Sequence, residues 1–271
     1  MSTDAMTIDS LIVHVEGIGW WSPGLADWNT AAQALREDRV PEPGNARPSA
    51  TILPPNERRR APDPVLLACD VGAQACTMAV RTPSELPCVF ASAHGDIAIT
   101  DDLCTTLAHE PLELSPTRFH NSVHNAAAGY WTIAAHCHAA SSAITAWHGS
   151  FAAGLLEAAI QSHTEQTPVL FAAYDNALRG PLVDFIPGSV SFGVALIVNA
   201  QSTAQSVAEL HLRHVAQSAQ PTESPQPWTT LAHATPMAMS LPLFIALARK
   251  QQTHVALRNG AASALIIEVR A

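Results

Sequence analysis

Ser141-Ser-Ala-Ile-Thr-Ala-Trp147 is followed directly by His148-Gly149-Ser150 and then by Phe151-Ala-Ala-Gly-Leu-Leu-Glu-Ala-Ala-Ile160. The first segment is short and partly β-branched, which predicts a strand, and the last is rich in alanine, which predicts a helix. The turn between them places residue 148 at the helix N-terminus, where free N–H groups and the helix dipole favour negative charge. A cysteine there has a lowered pKa and attacks acyl carbonyls as a thiolate. Because His148 occupies this position, the stretch predicts an acyl-transfer elbow that lacks its nucleophile.

Composition limits the class of protein. The chain has 271 residues, 48% of them hydrophobic, which suits one or two closely packed domains with a substantial core. The net charge of −9, from 23 acidic and 14 basic residues, argues against nucleic acid and anionic membrane surfaces as partners. Apolar runs are too short to span a bilayer, and residues 1–10 lack the basic segment and apolar core of a signal peptide. We therefore expect a cytoplasmic protein without a membrane span.

The number and spacing of the cysteines fit a reducing compartment such as the cytoplasm. The chain has 5 of them and no C-x-x-C pair, and an odd number in apolar surroundings favours reduced thiols. The five are Cys69, Cys76, Cys88, Cys104 and Cys137, and most of them are expected to fill the core.

Strands alternate with helices along the chain, which predicts an α/β layered fold. The proline-rich residues 40–62 and the Pro/Ser/Gln-rich residues 217–228 are predicted as loops. Asp27, Asp63 and the segment 100–102 are predicted to cap helices. The predicted strands are 11–15, 88–92, 141–147, 169–173, 191–198, a half-exposed strand around 210–215, and 263–269; the predicted helices end near 38, 76, 109, 134, 162 and 250.

Several motifs follow one another along the chain in the order found in the β-ketoacyl synthases of the thiolase fold, and the chain resembles that family. Val13-His-Val-Glu-Gly-Ile-Gly-Trp-Trp-Ser-Pro-Gly24 is similar to the first strand and turn of that family, and Asn125-Ala-Ala-Ala-Gly-Tyr-Trp-Thr-Ile133 to the helix before its nucleophile strand. His148, 23 positions after Asn125, falls on the nucleophile cysteine of the family, and Phe192-Gly-Val-Ala-Leu-Ile-Val198 on its Gly-rich strand. The resemblance covers residues 10–200. It implies an α/β/α/β/α fold with a complete first half, and a shortened second half in residues 201–271.

Two departures from the family point away from catalysis. The nucleophile cysteine is absent, and no motif matches the two histidines that the second half of such enzymes supplies for decarboxylation and oxyanion binding. The histidines available in the second half are His211, His214, His233 and His254. A shortened member without a nucleophile is similar to chain-length factors. The block Ser115-Pro-Thr-Arg-Phe-His-Asn-Ser-Val-His-Asn-Ala126 is like the small synthase-like proteins of aryl polyene and xanthomonadin-type pigment clusters.

The resemblance implies a role and partners. A non-catalytic chain-length factor would pair with an active β-ketoacyl synthase, which extends chains carried on acyl carrier protein, and would need no cofactor. The strand 141–147 would then lie at the dimer interface. Bulky side chains near that interface would set the length of the acyl tunnel, and the candidates are Tyr130, Trp131, Trp147 and Phe151.

Three other types of site are conceivable from the residues. Zinc needs three or four converging ligands, and His120-x-x-x-His124 lacks the Glu of a metalloprotease helix, so His120, His124, His136 and His138 are expected to hydrogen-bond and to hold no metal. Ser150 lacks the glycines that flank a nucleophilic serine and is expected to cap the helix. Cys137 precedes the elbow strand and is expected to be structural.

His148 itself allows three interpretations: a general acid or base, a hydrogen-bonding plug of the former pocket, or a contact to the partner. The missing nucleophile and the short second half favour the last two. Ala93-His94-Gly95-Asp96 is interpreted as a strand-exit turn rather than a catalytic dyad. The competing functions are a lone decarboxylase or hydrolase that uses His148 with Ser150 or Cys137, and a homodimeric acyl-binding module.

Overall fold

The computed structural model describes residues 10–42, 44, 47–185, 188–216 and 219–271, and of residues 181 and 182 only the backbone. Eight strands in these ranges form one mixed sheet with the order β3-β2-β4-β5-β1-β6-β8-β7. The strands are β1 (Leu11–Trp21), β2 (Cys88–Ala91), β3 (Ser141–Ile144), β4 (Val169–Asp175), β5 (Phe192–Asn199), β6 (Ala208–Val215), β7 (Thr253–Arg258) and β8 (Ala264–Arg270).

Helices cover both faces of the first part of the sheet. They are α1 (Trp28–Glu37), α2 (Pro55–Arg60), α3 (Asp63–Ala79), α4 (Ile97–His109), α5 (Pro116–Asn121), α6 (Ala126–Ala134), α7 (Ser150–Glu165), α8 (Thr229–Ala232) and α9 (Leu241–Arg249). Short 3-10 turns lie at Pro83–Glu85, Pro111–Glu113, Trp147–Gly149, Pro181–Asp184 and Pro236–Ser240. In the part of the chain just described, no helix is both long and apolar enough to cross a membrane.

The central strand β1 lies so close to α3 that side chains do not fit between them. A Cβ atom on Gly19 would overlap the carbonyl oxygen of Val71, and one on Gly17 would overlap that of Ala75. Only glycine allows this approach of two backbones. The contact fixes the α3 layer on one face of the sheet, while α7 packs across β4, β2, β5 and β1.

Apolar side chains of the two sheet faces form two separate cores. One core lies around Phe90, Trp131 and the buried face of α3. The other joins Phe151 and Leu155 of α7 to Phe244 of α9 and continues onto β6, β8 and β7. The thiolase-like α/β fold predicted from the sequence is therefore confirmed, with the strands of the short second half added to the same sheet as those of the first. The domain boundary after residue 200 stays a prediction.

Several predicted boundaries were wrong. The helix expected to be capped at 100–102 begins at Ile97, because the carboxylate of Asp96 accepts a hydrogen bond from the Ile99 N–H at 3.0 Å and caps it there. Asp63 is the first residue of α3 rather than its cap. The predicted loop 40–62 contains α2, whose first position suits Pro55. Residues 43, 45 and 46 of that loop, and 217 and 218 of the loop predicted at 217–228, lie outside the described residues.

The outward face of the last three strands is largely polar, although it also carries Ile266 and Ala256. Ile12 of β1 pairs with His211 of β6, His211 with Glu268 of β8, and Glu268 with His254 of β7, which places these side chains in one cross-strand row. The alternate residues, such as Leu212 and Ile267, point into the core. Since His211 and His254 are on the outward face, they point away from the core that contains Phe151.

Replacing Gly19 by alanine tests the contact between β1 and α3. The new methyl group would force the two backbones apart, so we expect the free energy of unfolding to fall by about 3 kcal/mol, at the upper end of overpacking effects. Urea denaturation monitored by circular dichroism measures the loss. Gly129→Ala is the matched control, because a Cβ at Gly129 would meet no atom within 4 Å. A Gly19→Ala protein as stable as wild type would contradict the close backbone contact between β1 and α3.

Candidate functional site

The elbow begins with a strained turn at the end of β3. Trp147 has a φ of 54°, in the left-handed region that non-glycine residues rarely adopt, and Trp147–Gly149 forms a single 3-10 turn before α7 starts at Ser150. The Ser150 hydroxyl accepts a hydrogen bond from the Ala146 N–H at 2.8 Å and donates one to the Trp147 carbonyl at 2.7 Å. Ser150 is fully buried and stabilises the turn, so its oxygen is not presented to a substrate. The prediction that Ser150 caps the helix was wrong, because Ser150 is the first residue of α7 and its hydroxyl bonds to the preceding turn.

His148 sits at the N-terminal end of α7, as the sequence predicts, and its ring is partly buried. Burial lowers the pKa of His148, and the charges of Arg258 and His94 lower it further. Its Nδ1 atom is buried and has no hydrogen-bond partner among the described residues. The lowered pKa favours the neutral imidazole, which suits the electrostatics of a helix N-terminus.

The cavity beside His148 has a volume of about 10 Å³. That is roughly the space of one water molecule and far below the size of a small-molecule site. Phe151 and Leu257 contribute its apolar walls, and Arg258 lies at its edge. An acyl group has no room here.

A buried His–Asp pair lies directly beneath the elbow. His94 Nε2 is 3.9 Å from Asp175 Oδ2, and the side chains are 1% and 0% exposed. Asp175 accepts hydrogen bonds from the Ser92 hydroxyl at 2.8 Å, the Ala93 N–H at 2.9 Å and the Thr235 hydroxyl at 3.3 Å. Burial raises the pKa of Asp175, against the opposing influence of His94.

The pair is linked to the elbow through aromatic contacts. The Trp147 ring meets the His94 ring edge-on at a centroid distance of 5.3 Å and the His148 ring at 5.2 Å. The sequence interpretation of residues 93–96 missed this arrangement, because the partner of His94 is Asp175 and not Asp96. One signal was available: β2 and β4 are parallel neighbours, so residues that follow them meet at one edge of the sheet.

The histidine-rich segment after α4 does not converge on a metal. His124 Nε2 lies 3.1 Å from the Ser92 carbonyl oxygen, while His120 and His136 line a separate cleft next to α6. Within the described ranges, no group of three or more His, Cys, Asp or Glu side chains could hold a metal ion.

Cys137 is placed away from the elbow turn. Its thiol is buried and donates to the Leu86 carbonyl oxygen at 3.3 Å. Burial raises the pKa of Cys76 and of Cys88 to about 12, and the pKa of Cys69 is also raised by burial. Cys104 is exposed, while the other four are buried, in agreement with the expectation that most of the cysteines fill the core.

The four predicted tunnel or interface residues lie in different environments. Trp147 is 43% exposed beside His148, and Tyr130 is half-buried, with its hydroxyl 3.2 Å from Asn121 Oδ1. Trp131 is fully buried against Phe90, and Phe151 is 3% exposed. The role of all four stays a prediction, but only Trp147 and Tyr130 present surface to a neighbouring molecule.

A parallel β3-β2-β4 edge, from which a tight elbow leads into a helix buried against the sheet, defines a thiolase-like scaffold of the ketosynthase type. Residues 27–262 match the family described as "Beta-ketoacyl synthase, N-terminal domain". The chain belongs to this family. No curated protein sequence matches it.

Solved structures share the fold at low sequence identity. The ketosynthase (ApeO) in complex with its chain length factor (ApeC) from Xenorhabdus doucetiae matches 95% of this chain and 99% of the other, with a TM-score of 0.69 and 22% identity. A β-ketoacyl synthase from Burkholderia phymatum STM815 matches 89% and 71%, with a TM-score of 0.61 and 15% identity. The AntDE:AntF complex, a type II PKS acyl-carrier protein with its ketosynthase, matches 96% and 99%, with a TM-score of 0.69 and 11% identity.

Substitution of Arg258 tests the electrostatics of His148. Arg258→Gln removes the nearby cation, so the pKa of His148 should rise toward the ordinary value of about 6.5, as measured by NMR titration of the ring. Because folding lowers this pKa, the unfolded chain binds the proton more readily. The stability that neutral His148 contributes is present above about pH 6.5 and is lost as the pH falls below it.

His148→Gln should therefore lose less stability than wild type between about pH 7 and pH 5. His138→Gln, which changes an exposed histidine, is the matched control and should behave as wild type. If the His148→Gln protein and wild type lost the same stability on acidification, the lowered pKa of His148 in the folded chain would be contradicted.

Thiol labelling tests the burial of the cysteines. In the native protein, Cys104 should react rapidly with an aromatic disulfide reagent, and the other four should react only after unfolding, because their thiols are buried. Absorbance of the released thiolate counts the reactive groups. Cys104→Ser should abolish the fast phase; a fast phase that depended instead on Cys137 would restore it as a candidate nucleophile.

Proposed function

We propose that this chain is a non-catalytic chain-length factor that pairs with an active β-ketoacyl synthase. The observation that carries the proposal is that the strand, the tight turn and the helix of the elbow are all present around His148, which adjoins a cavity of about 10 Å³. The fold of the reaction centre is retained, while the nucleophile and the space for an acyl group are both missing.

The alternative of a lone enzyme finds little support in the same residues. Ser150 is fully buried and uses its hydroxyl within the turn, and Cys137 is buried against Leu86. His94 and Asp175 are closed off from solvent. His148 would have to act without a nucleophile, a substrate pocket or a hydrogen-bond partner on Nδ1.

Chain length supports the role in a complex. The coverages of 95% and 99% mean that the matched chain in the ApeO–ApeC structure is nearly as long as this one. A chain of this size and fold therefore occurs in an assembly described as a ketosynthase with its chain length factor.

The edge strand β3 is the surface that we assign to the partner. The carbonyls of Ala140 and Ile144 accept hydrogen bonds from Cys88 and Ser92, on the β2 side. Alternation along a parallel ladder leaves the N–H and C=O groups of Ser141 and Ala143 facing outward. An exposed strand edge is a template for pairing with another chain, and the exposed Trp147 follows it directly.

We extend the proposal to an acyl carrier protein as a second partner. The run Arg58-Arg59-Arg60 on α2 is a local concentration of positive charge in a chain of net charge −9, and it would attract a carrier with an acidic surface. A cytoplasmic location and a polyene pigment as the product are the most specific parts of the proposal; the pigment rests on the likeness of residues 115–126 to proteins of such clusters.

Co-expression with a candidate ketosynthase tests the pairing. We expect the two chains to co-purify, and chain extension to require the partner's cysteine while tolerating His148→Ala. Ala143→Pro removes an outward N–H without touching the bonds to β2, so the affinity of pairing should fall at least about tenfold. Ala143→Ser keeps that N–H and should pair normally.

Two results would overturn the proposal. One is acyl-processing activity of the lone chain that disappears in the His148→Ala protein. The other is pairing that is insensitive to Ala143→Pro while circular dichroism shows that the variant is folded.

A further inference from the structure

A groove of about 350 Å³ lies on the outward face of β6, β8 and β7. Its volume falls within the roughly 300–1,000 Å³ that small-molecule sites usually have. The strand register shapes it, because Arg213 on β6 pairs with Ile266 on β8, and Ile266 pairs with Ala256 on β7. The half-buried Ile266 supplies an apolar floor. The other residues that line the groove are Ser10, His211, His254 and Glu268.

The carboxylates of this face are bound by neighbouring basic side chains. Arg270 donates to Glu268 at 2.8 Å and to Glu209 at 3.4 Å. Glu209 also accepts a hydrogen bond from His211 Nε2 at 2.5 Å. The hydrogen bond from His211 lowers the pKa of Glu209, and the one from Arg270 lowers the pKa of Glu268. The negative charges of the face are therefore compensated within the sheet.

Arg213 is the cation of this face that stays available to a ligand. Its side chain is exposed, and its cross-strand neighbour Ile266 has no group that accepts a hydrogen bond. The ion pairs of the face use other basic side chains, and none of those formed by the described residues involves Arg213. The exposed imidazole of His254 and the hydroxyl of Ser10 add further donors to the groove.

This set of donors selects the charge and the shape of a ligand. A guanidinium is a planar fork of N–H donors that matches the oxygens of a phosphate group, and hydrogen bonds to a charged acceptor are about twice as strong as neutral ones. The groove has room for more than a phosphate group, and its floor at Ile266 is apolar. A phosphate ester with a small apolar substituent satisfies both properties.

We propose that this groove binds a phosphate monoester, with the phosphate at Arg213 and His254 and the apolar substituent over Ile266. The site is separate from the elbow, because its side chains leave the sheet on the face opposite the core that contains Phe151. The proposal does not depend on pairing with a ketosynthase, since the site lies within the isolated chain.

Titration calorimetry of the isolated chain with phenyl phosphate tests the site. Phenyl phosphate should bind more tightly than inorganic phosphate, which lacks the apolar part, and benzyl alcohol should not bind. Arg213→Gln should weaken the binding of both phosphates at least about tenfold, because the charged donor is lost. Arg39→Gln is the matched control and should bind as wild type, since Arg39 is an exposed arginine that follows α1 and pairs with Glu37.

A second pair of variants separates charge from shape. Ile266→Glu places a carboxylate beside Arg213, which neutralises the guanidinium and should abolish the binding of both phosphates. Ile266→Gln has nearly the same shape without the charge. It should keep the affinity for inorganic phosphate and lose the preference for phenyl phosphate. Circular dichroism confirms that each variant is folded.

Three results would overturn the proposal. The first is no binding of phenyl phosphate by the wild-type chain. The second is a folded Arg213→Gln protein that binds phenyl phosphate as tightly as wild type. The third is equal binding of inorganic phosphate by Ile266→Glu and Ile266→Gln. The pairing with a ketosynthase is tested through Ala143→Pro, so failure of one proposal leaves the other intact.

Discussion

The contact between the backbones of β1 and α3 sets the position of everything else in the fold. Gly17 and Gly19 bring the strand against the carbonyls of Ala75 and Val71, which fixes the α3 layer directly on the sheet. The same strand pairs with β5 on one side and β6 on the other, so it joins the first half of the chain to the second. Its rigid placement holds the two cores apart on opposite faces. The elbow is built on one face and the cleft beside α6 on the other.

The edge of the sheet near the elbow keeps a costly arrangement of backbone and buried polar side chains. Trp147 has a left-handed backbone, and beneath it lie a buried His94 and a buried Asp175 that almost meet. Buried groups of this kind destabilise a fold unless their surroundings compensate them. Here three hydrogen bonds hold the carboxylate of Asp175. The His94 ring packs edge-on against Trp147, while neither of its ring nitrogens has a hydrogen-bond partner among the described residues. The arrangement gives the elbow a defined shape.

Sequence reasoning recovered the features that depend on local pattern. The elbow at His148 and helix α6 follow from short-range spacing, and the family resemblance placed them in the correct order. The sequence did not predict features that form where distant segments meet. These are the pairing of His94 with Asp175 and the cleft beside Gly129, which is formed by three helices. The α2 helix was missed because prolines dominate its segment, although proline suits a first helical turn. The complete burial of Trp131 depends on which side of α6 faces α3, and the low amphipathicity of that helix gave no indication of it.

The polar row on β6, β8 and β7 also bears on the register of these strands. His211, Glu268 and His254 occupy one cross-strand row on the outward face, while the neighbouring Leu212 and Ile267 point into the core. Because side chains alternate between the two faces of a strand, a slip of one residue would turn the polar row into the core and the apolar residues toward solvent. The two faces therefore oppose any other pairing of these strands.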